Sequence, residues 1–152
     1  AQAYLLRVVR ERMDFVGAAK AVLAMRKKYP ASAVIVEKAA NGPAVLAALR
    51  NVIPGMHGID ARGTKYARAA AVQPFVASGN VLLPQSAPWL DVFLEELDQF
   101  PTGPHDDQVD SMTQALAHVW LGGAGLVGDL EWSVEDLLME DPWDELELLP
   151  GE

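Results

Sequence analysis

The chain has 152 residues, 51% of them hydrophobic, which fits one domain with a hydrophobic core followed by a tail. It contains no cysteine, which excludes disulfide bonds and thiolate-bound metals. No apolar run reaches the roughly 18 residues that predict a membrane-spanning helix, and no signal peptide is visible. The formal net charge is −9, which by itself argues against nucleic-acid binding.

The net charge conceals an uneven distribution of charged residues. Residues 1–68 contain 12 basic and 4 acidic side chains, a net +8, whereas residues 69–152 contain no basic and 17 acidic side chains, a net −17. A basic surface can meet phosphate, and an acidic one can hold metal or stay solvated. The average charge therefore does not exclude nucleic acid as a partner.

The first half of the chain predicts alternating strands and helices. Residues 4–10 are rich in β-branched and aromatic residues and predict a strand. Asp14 is the predicted N-cap of an amphipathic helix that ends near residue 28. Residues 33–36 form an apolar run, typical of a strand buried on both faces, and this strand ends at Glu37. Pro43 then opens a helix that ends at Arg50.

The second half continues the alternation and then changes character. A strand is predicted over residues 56–60, a helix from Thr64 that Pro74 bends or ends, and a strand over residues 80–84. Apolar stripes predict helices over residues 89–97 and 107–120. Residues 122–152 are a Gly-rich linker and an acidic tail that either folds on a partner or stays disordered.

Three carboxylates cluster at the start of the last predicted helix, within the run His105-Asp106-Asp107-Gln108-Val109-Asp110. Residues three and four apart share a helix face, so Asp110 can point the same way as Asp106 or Asp107. Carboxylate oxygens are the ligands that Mg²⁺ and Mn²⁺ prefer. Aspartates also favour helix starts through capping and the helix dipole, so spacing alone leaves both interpretations open.

Glu37 is a second candidate, because it ends a predicted buried strand and precedes a turn containing Gly42. Ligands of open α/β sheets gather outside the carboxyl ends of strands, where a helix can add further acids. A solvated strand end is the alternative. Lys38 either pairs with Glu37 or reaches phosphate.

Five segments of the chain, in order, resemble the nuclease domain of tailed-phage terminase large subunits. They lie between about residues 4 and 121 and comprise residues 35–42 (IVEKAANG), 65–69 (KYARA), 79–84 (GNVLLP), 88–90 (PWL) and 100–111 (FPTGPHDDQVDS). Several motifs in the family's order are a far more specific signal than a lone pair of aspartates. We therefore assign residues 1–121 to a partial nuclease domain and residues 122–152 to the linker and tail.

The resemblance implies an α/β, ribonuclease H-like fold with a mixed central sheet flanked by helices. It implies a two-metal endonuclease that uses Mg²⁺ or Mn²⁺ to cut concatemeric viral DNA during packaging, in the cytoplasm of the bacterial host. The implied partners are double-stranded DNA, the terminase ATPase domain, the small terminase subunit and the portal protein, with no membrane. The chain has no phosphate-binding P-loop pattern of its own.

By the same resemblance, Glu37 matches the family's second catalytic acid, and Asp106 or Asp107 matches the third. We count Asp110 among the metal ligands. Because it lies one turn further along the helix, it could instead contact those ligands without binding the metal itself. DNA-backbone contacts are expected from the basic residues Lys38, Arg62, Lys65 and Arg68. His105 is an accessory candidate that could polarise a water or phosphate, and capping or packing beside the aspartates is the alternative.

The family's first catalytic Asp lies on a strand upstream of residue 4, so we expect this chain to belong to a longer protein and to lack that strand. Activity of these residues alone could be weak or lost. The main alternative is a non-catalytic fragment or interaction module that docks on portal, packaging motor or DNA. Another ribonuclease H-like enzyme, such as a Holliday-junction resolvase or transposase, is a further alternative, because one fold hosts many activities.

Overall fold

The structure is a computed structural model that describes residues 2–122. Within these residues strands and helices alternate before two final helices. The elements are β1 (Ala3–Tyr4), α1 (Phe15–Lys28), β2 (Val34–Glu37), α2 (Gly42–Leu49), β3 (Met56–Ile59), α3 (Lys65–Ala77), β4 (Val81–Leu82), α4 (Leu90–Gln99) and α5 (Asp107–Ala117). A π-helical turn, His118–Gly122, follows α5.

The four strands form two parallel pairs, β1 with β4 and β2 with β3. In the second pair the register runs from Val34 beside Met56 to Glu37 beside Ile59, with α2 as the crossover. The α/β class is confirmed. Because no ladder joins the two pairs within residues 2–122, the predicted mixed central sheet stays a prediction.

The two faces of β2 contact different helices, because successive strand side chains point to opposite sides. Val34 packs on the side of α1 and α2, in a core centred on Val45, Leu49 and Ile53. Ile35 and Glu37 instead face α5 across a cavity. The strand therefore presents Glu37 away from the apolar core and toward the acidic helix.

Helices α3, α4 and α5 pack together around a second group of apolar side chains. α5 lies against both α3 and α4, and the most buried residues of the three helices include Val72, Phe93 and Val109. Trp89 is half-buried and meets Phe93 edge to face, with ring centroids 5.9 Å apart.

The predicted helix starts are confirmed by their caps. The Asp14 carboxylate accepts a hydrogen bond from the Gly17 backbone N–H, and the Thr64 hydroxyl accepts one from Ala67. Pro74 does not end α3, because the helix continues for three more residues to Ala77. Pro74 and Ala70 are both exposed, so water can replace the hydrogen bond that proline cannot donate.

The prediction of a strand over residues 4–10 was wrong beyond its first residue. β1 contains only Ala3–Tyr4, and one more backbone bond, from Leu5 N–H to Leu82, extends the pairing. Its partner β4 is equally short, and Pro84 cannot donate a ladder hydrogen bond. An apolar, β-branched sequence forms a strand only where a partner strand is present to pair with it.

The predicted acidic tail and most of the Gly-rich linker lie outside the described residues. α5 ends at Ala117, three residues before the predicted end, and the π-helical turn continues the chain from there. No helix in the part of the chain that the structure describes is long and apolar enough to cross a membrane.

Gly42 is required for the close approach of α2 to the end of β2. A Cβ atom at Gly42 would overlap the carbonyl oxygen of Glu37. We expect Gly42→Ala to lower the free energy of unfolding by about 3 kcal/mol or more, because backbone cannot move aside as a side chain can. Urea denaturation followed by circular dichroism measures this loss.

The matched comparison is Gly79→Ala, where φ is +71° but no atom lies within 4 Å of the added Cβ. That substitution suffers only the left-handed backbone penalty, about 1 kcal/mol. A Gly42→Ala protein as stable as the Gly79→Ala protein would contradict the proposed packing.

Candidate active site

A cavity of about 350 Å³ lies between the end of β2 and one face of α5. Its lining comes from β2 and the residue before it on one side and from α5 on the other: Ala33, Ile35 and Glu37, then Asp107, Asp110, Ser111, Gln114 and Ala115. Glu37 is thus brought to the same cavity as two of the three acids of the helix. The structure thus places the acid at the end of β2 beside acids of α5, as the sequence pattern predicted.

Glu37 is held at this cavity by Gln114, which the sequence analysis did not select. The Gln114 side-chain amide donates to Glu37 Oε2 at 2.7 Å and to Asp110 Oδ2 at 3.2 Å. Gln114 lies four residues after Asp110 and seven after Asp107, so helical spacing places it on the acidic face. That spacing was the available signal. Gln114 was not predicted as a site residue, because glutamine carries no charge.

Asp110 forms a buried ion pair with Arg68 of α3. Arg68 Nη2 lies 2.6 Å from Asp110 Oδ1 and 2.7 Å from Oδ2, and Arg68 Nε donates to Oδ1 at 2.9 Å. The two side chains are only 14% and 8% exposed. Both carboxylate oxygens therefore have donors, and the guanidinium faces the protein interior.

Asp106 is also neutralised by a cation of α3, but at a more accessible place. Lys65 Nζ lies 2.6 Å from Asp106 Oδ1, with side-chain exposures of 42% and 33%. The hydrogen bond to Asp106 is the main cause that raises the pKa of Lys65; burial opposes the rise, and the charges of the three helix acids add to it. Asp106 does not line the cavity.

Asp107 differs from its two neighbours because its carboxylate is open. It is exposed and lines the cavity, and no residue in 2–122 donates a hydrogen bond or forms an ion pair with it. His105, two residues before α5, is exposed and equally without a partner among the described residues. Of the acids at the start of α5, Asp107 is the one most available to a ligand.

The remaining predicted DNA-contacting residues lie near the strand ends. Lys38 pairs with Asp60, not with Glu37, at 3.0 Å, and both side chains are well exposed. Asp60 immediately follows β3, which pairs with β2. Arg62, two residues further on, is exposed. Lys38 is therefore an exposed cation directly after the cavity-lining end of β2.

The four predicted metal-binding acids are not gathered into one centre. Across residues 2–122, no group of three or more His, Cys, Asp or Glu side chains is arranged to hold a metal ion. The ion pairs explain this, since the carboxylates of Asp106 and Asp110 are turned toward Lys65 and Arg68. Of the three acids that line the cavity, Glu37, Asp107 and Asp110, only Glu37 and Asp107 are not held in an ion pair among residues 2–122.

A family model described as the terminase RNaseH-like domain matches residues 2–119. The chain belongs to this family. No curated protein and no solved structure matches the chain. The resemblance inferred from the five sequence segments is therefore confirmed, and the matched region of this terminase RNase H-like domain contains every predicted site residue. The acidic segment after residue 122 lies outside it.

The two ion pairs between α3 and α5 should contribute very differently to the stability of the terminase domain. Arg68→Ala leaves the buried Asp110 carboxylate without its cation and should lower the free energy of unfolding by about 3–5 kcal/mol. Lys65→Ala breaks an exposed pair and should lower it by less than about 1 kcal/mol.

Urea denaturation of the two variants beside the wild-type protein measures both effects. Equal, small losses would contradict the buried character of the Arg68–Asp110 pair.

Proposed function

We propose that this chain is the nuclease domain of a terminase large subunit, a metal-dependent endonuclease that cuts concatemeric viral DNA during genome packaging. The observation that supports this most strongly is the position of Glu37 and Asp107. The two acids are 70 residues apart in the sequence, yet they line one cavity. Because the chain belongs to the terminase RNase H-like domain family, a cavity lined by these acids suggests a nuclease role.

The chemistry of the cavity fits a hard divalent cation. Glu37 and Asp107 supply carboxylate oxygens, which Mg²⁺ and Mn²⁺ prefer, and Asp107 has no competing donor among the described residues. Asp106 would join them if its carboxylate left the exposed pair with Lys65. Two divalent ions bound here would supply an activated water and neutralise charge on the leaving oxygen of a phosphodiester.

The other polar residues would then orient the metal-binding acids. Gln114 holds the Glu37 carboxylate through its amide, and Asp110 holds both Gln114 and Arg68. Because both oxygens of Asp110 are already occupied by donors, we propose that Asp110 positions its neighbours and does not bind metal. This assignment chooses the second of the two roles that the sequence left open for Asp110.

Exposed basic side chains would hold the DNA backbone. Lys38 and Arg62 are exposed, and Lys65 is more than a third exposed. Phosphate contacts of this kind are independent of base sequence and weaken as salt rises. Arg68 is too buried to serve in the same way. His105 is open to solvent beside Asp106 and could donate a proton or a hydrogen bond to phosphate.

The proposal also includes the wider assembly. We propose that the two parallel strand pairs belong to a mixed ribonuclease H-like sheet and that the domain acts beside an ATPase motor domain. The small terminase subunit and the portal would be further partners, in the host cytoplasm. The family match over residues 2–119 supports these assignments.

A second candidate function is a non-catalytic module that docks on the portal, the motor or DNA. The absence of a ready-made metal-binding group among the described residues favours it. Under this alternative Asp106 and Asp110 serve only to pair with Lys65 and Arg68, and Asp107 is a solvated surface acid.

The two candidates differ in a plasmid-nicking assay with Mn²⁺. We expect conversion of supercoiled to relaxed plasmid that is abolished by EDTA, by Glu37→Gln and by Asp107→Asn, because each substitution removes a metal-binding charge without changing side-chain size. The matched control is Asp98→Asn, which removes one exposed carboxylate on α4, and should nick DNA like the wild-type protein.

Circular dichroism melting of the three variants excludes unfolding as the cause of a loss. Nicking that survives in both Glu37→Gln and Asp107→Asn would contradict the site assignment. DNA binding without nicking, indifferent to metal and to both substitutions, would favour the docking module.

A further inference from the structure

The start of α5 is capped by a residue from another helix. Asp106 occupies the N-cap position, but its side chain makes no capping hydrogen bond. An N-cap side chain ordinarily accepts from the backbone N–H of the second or third helical residue, here Gln108 and Val109. Both N–H groups instead donate to Glu96 Oε1, at 2.6 Å and 3.1 Å.

Glu96 is suited to this task because both of its carboxylate oxygens accept hydrogen bonds. It lies on α4 with only 5% of its surface exposed, and its second oxygen accepts from the Gln108 side-chain amide at 2.6 Å. Arg10 adds a positive charge 3.9 Å from that oxygen. The positive end of the α5 dipole stabilises a carboxylate at this position. Charge-assisted hydrogen bonds offset part of the free-energy cost of removing that carboxylate from water.

Capping by Glu96 determines what Asp106 can do. An Asp106 carboxylate that capped its own helix would turn toward the backbone of Gln108 and Val109 and would leave Lys65. With the cap supplied by Glu96, the Asp106 carboxylate points to Lys65, 2.6 Å away on α3. The acid is therefore presented outward, where a cation can reach it.

We propose that Glu96 is a positioning residue that caps α5 in place of Asp106 and thereby keeps the Asp106 carboxylate available to a cation. In this structure that cation is Lys65. The further step, in which a divalent ion takes the place of Lys65, rests on the proposed nuclease function. The exchange of caps, in which Asp106 would cap α5 if Glu96 were removed, does not rest on that function.

A double-mutant cycle on stability tests the exchange. Asp106→Ala should raise the unfolding equilibrium constant by about twofold in the wild-type background, where it removes an exposed ion pair. In the Glu96→Ala background it should raise that constant by about tenfold, because Asp106 will have become the cap. An equal effect in both backgrounds would overturn the proposal.

Two further variants keep this test decisive. If Glu96→Ala does not fold, Glu96→Asp serves in the cycle, since its carboxylate is withdrawn by one methylene from both N–H groups. Glu95→Ala is the matched control, because Glu95 is the exposed neighbour on α4 and bonds only Gln99 among the residues described. In that background the effect of Asp106→Ala should stay near twofold.

Metal affinity supplies a readout that a purely structural role would not move. By calorimetric titration with Mn²⁺, Glu96→Ala should weaken binding by about tenfold, the usual effect of losing a residue that orients a metal ligand. Glu96→Gln, which keeps an oxygen acceptor for the cap, should restore affinity close to that of the wild-type protein. Unchanged affinity in a folded Glu96→Ala protein would overturn the positioning role.

The two hypotheses fail in different ways. If the wild-type chain binds no Mn²⁺, the proposed nuclease site fails, while the stability cycle still decides whether Glu96 replaces Asp106 as the cap. If Mn²⁺ binds but the cycle shows no coupling, the nuclease site stands and the role of Glu96 is refuted.

Discussion

The buried ion pair between Arg68 and Asp110 is the interaction on which the site depends. It joins α3 to α5. Asp110 also accepts a hydrogen bond from the Gln114 side-chain amide, which donates in turn to Glu37 on β2. Three elements of the fold are thus connected by one chain of charge-assisted hydrogen bonds. Such a network is stable only when every member is satisfied, which is why both oxygens of Asp110 have donors. The orientation of Glu37 toward the cavity follows from this network.

The acids at the start of α5 have divided roles because of the residues packed around them. Asp110 is buried and paired, Asp106 is half-buried and paired, and Asp107 is exposed and open. Two cations of α3 and the capping carboxylate of Glu96 produce this difference. Of the two helix acids that line the cavity beside Glu37, Asp110 is neutralised by Arg68 and Asp107 is left open.

The sequence predicted the family, the α/β class and the meeting of Glu37 with acids of α5. Local signals were sufficient there, since Asp14 and Thr64 are strong N-caps and the five segments are specific. It could not predict that residues 6–10 have no strand partner within residues 2–122, because strand pairing depends on residues far away in the sequence. It also could not show that Arg68 is turned inward, or that Gln114 and Glu96 complete the site. Those facts depend on how α3, α4 and α5 pack, which spacing along one helix does not contain.

The most direct test of a metal site formed by Glu37 and Asp107 is anomalous diffraction from crystals of this chain soaked in Mn²⁺. We expect an anomalous peak in the cavity, within about 2.0–2.6 Å of carboxylate oxygens from both residues, the range of such ligand distances. This site assignment also predicts that the Arg68–Asp110 pair remains intact in the same crystals. A peak bound to Asp110 with Arg68 displaced, or no peak beside Glu37 and Asp107 at saturating Mn²⁺, would contradict it.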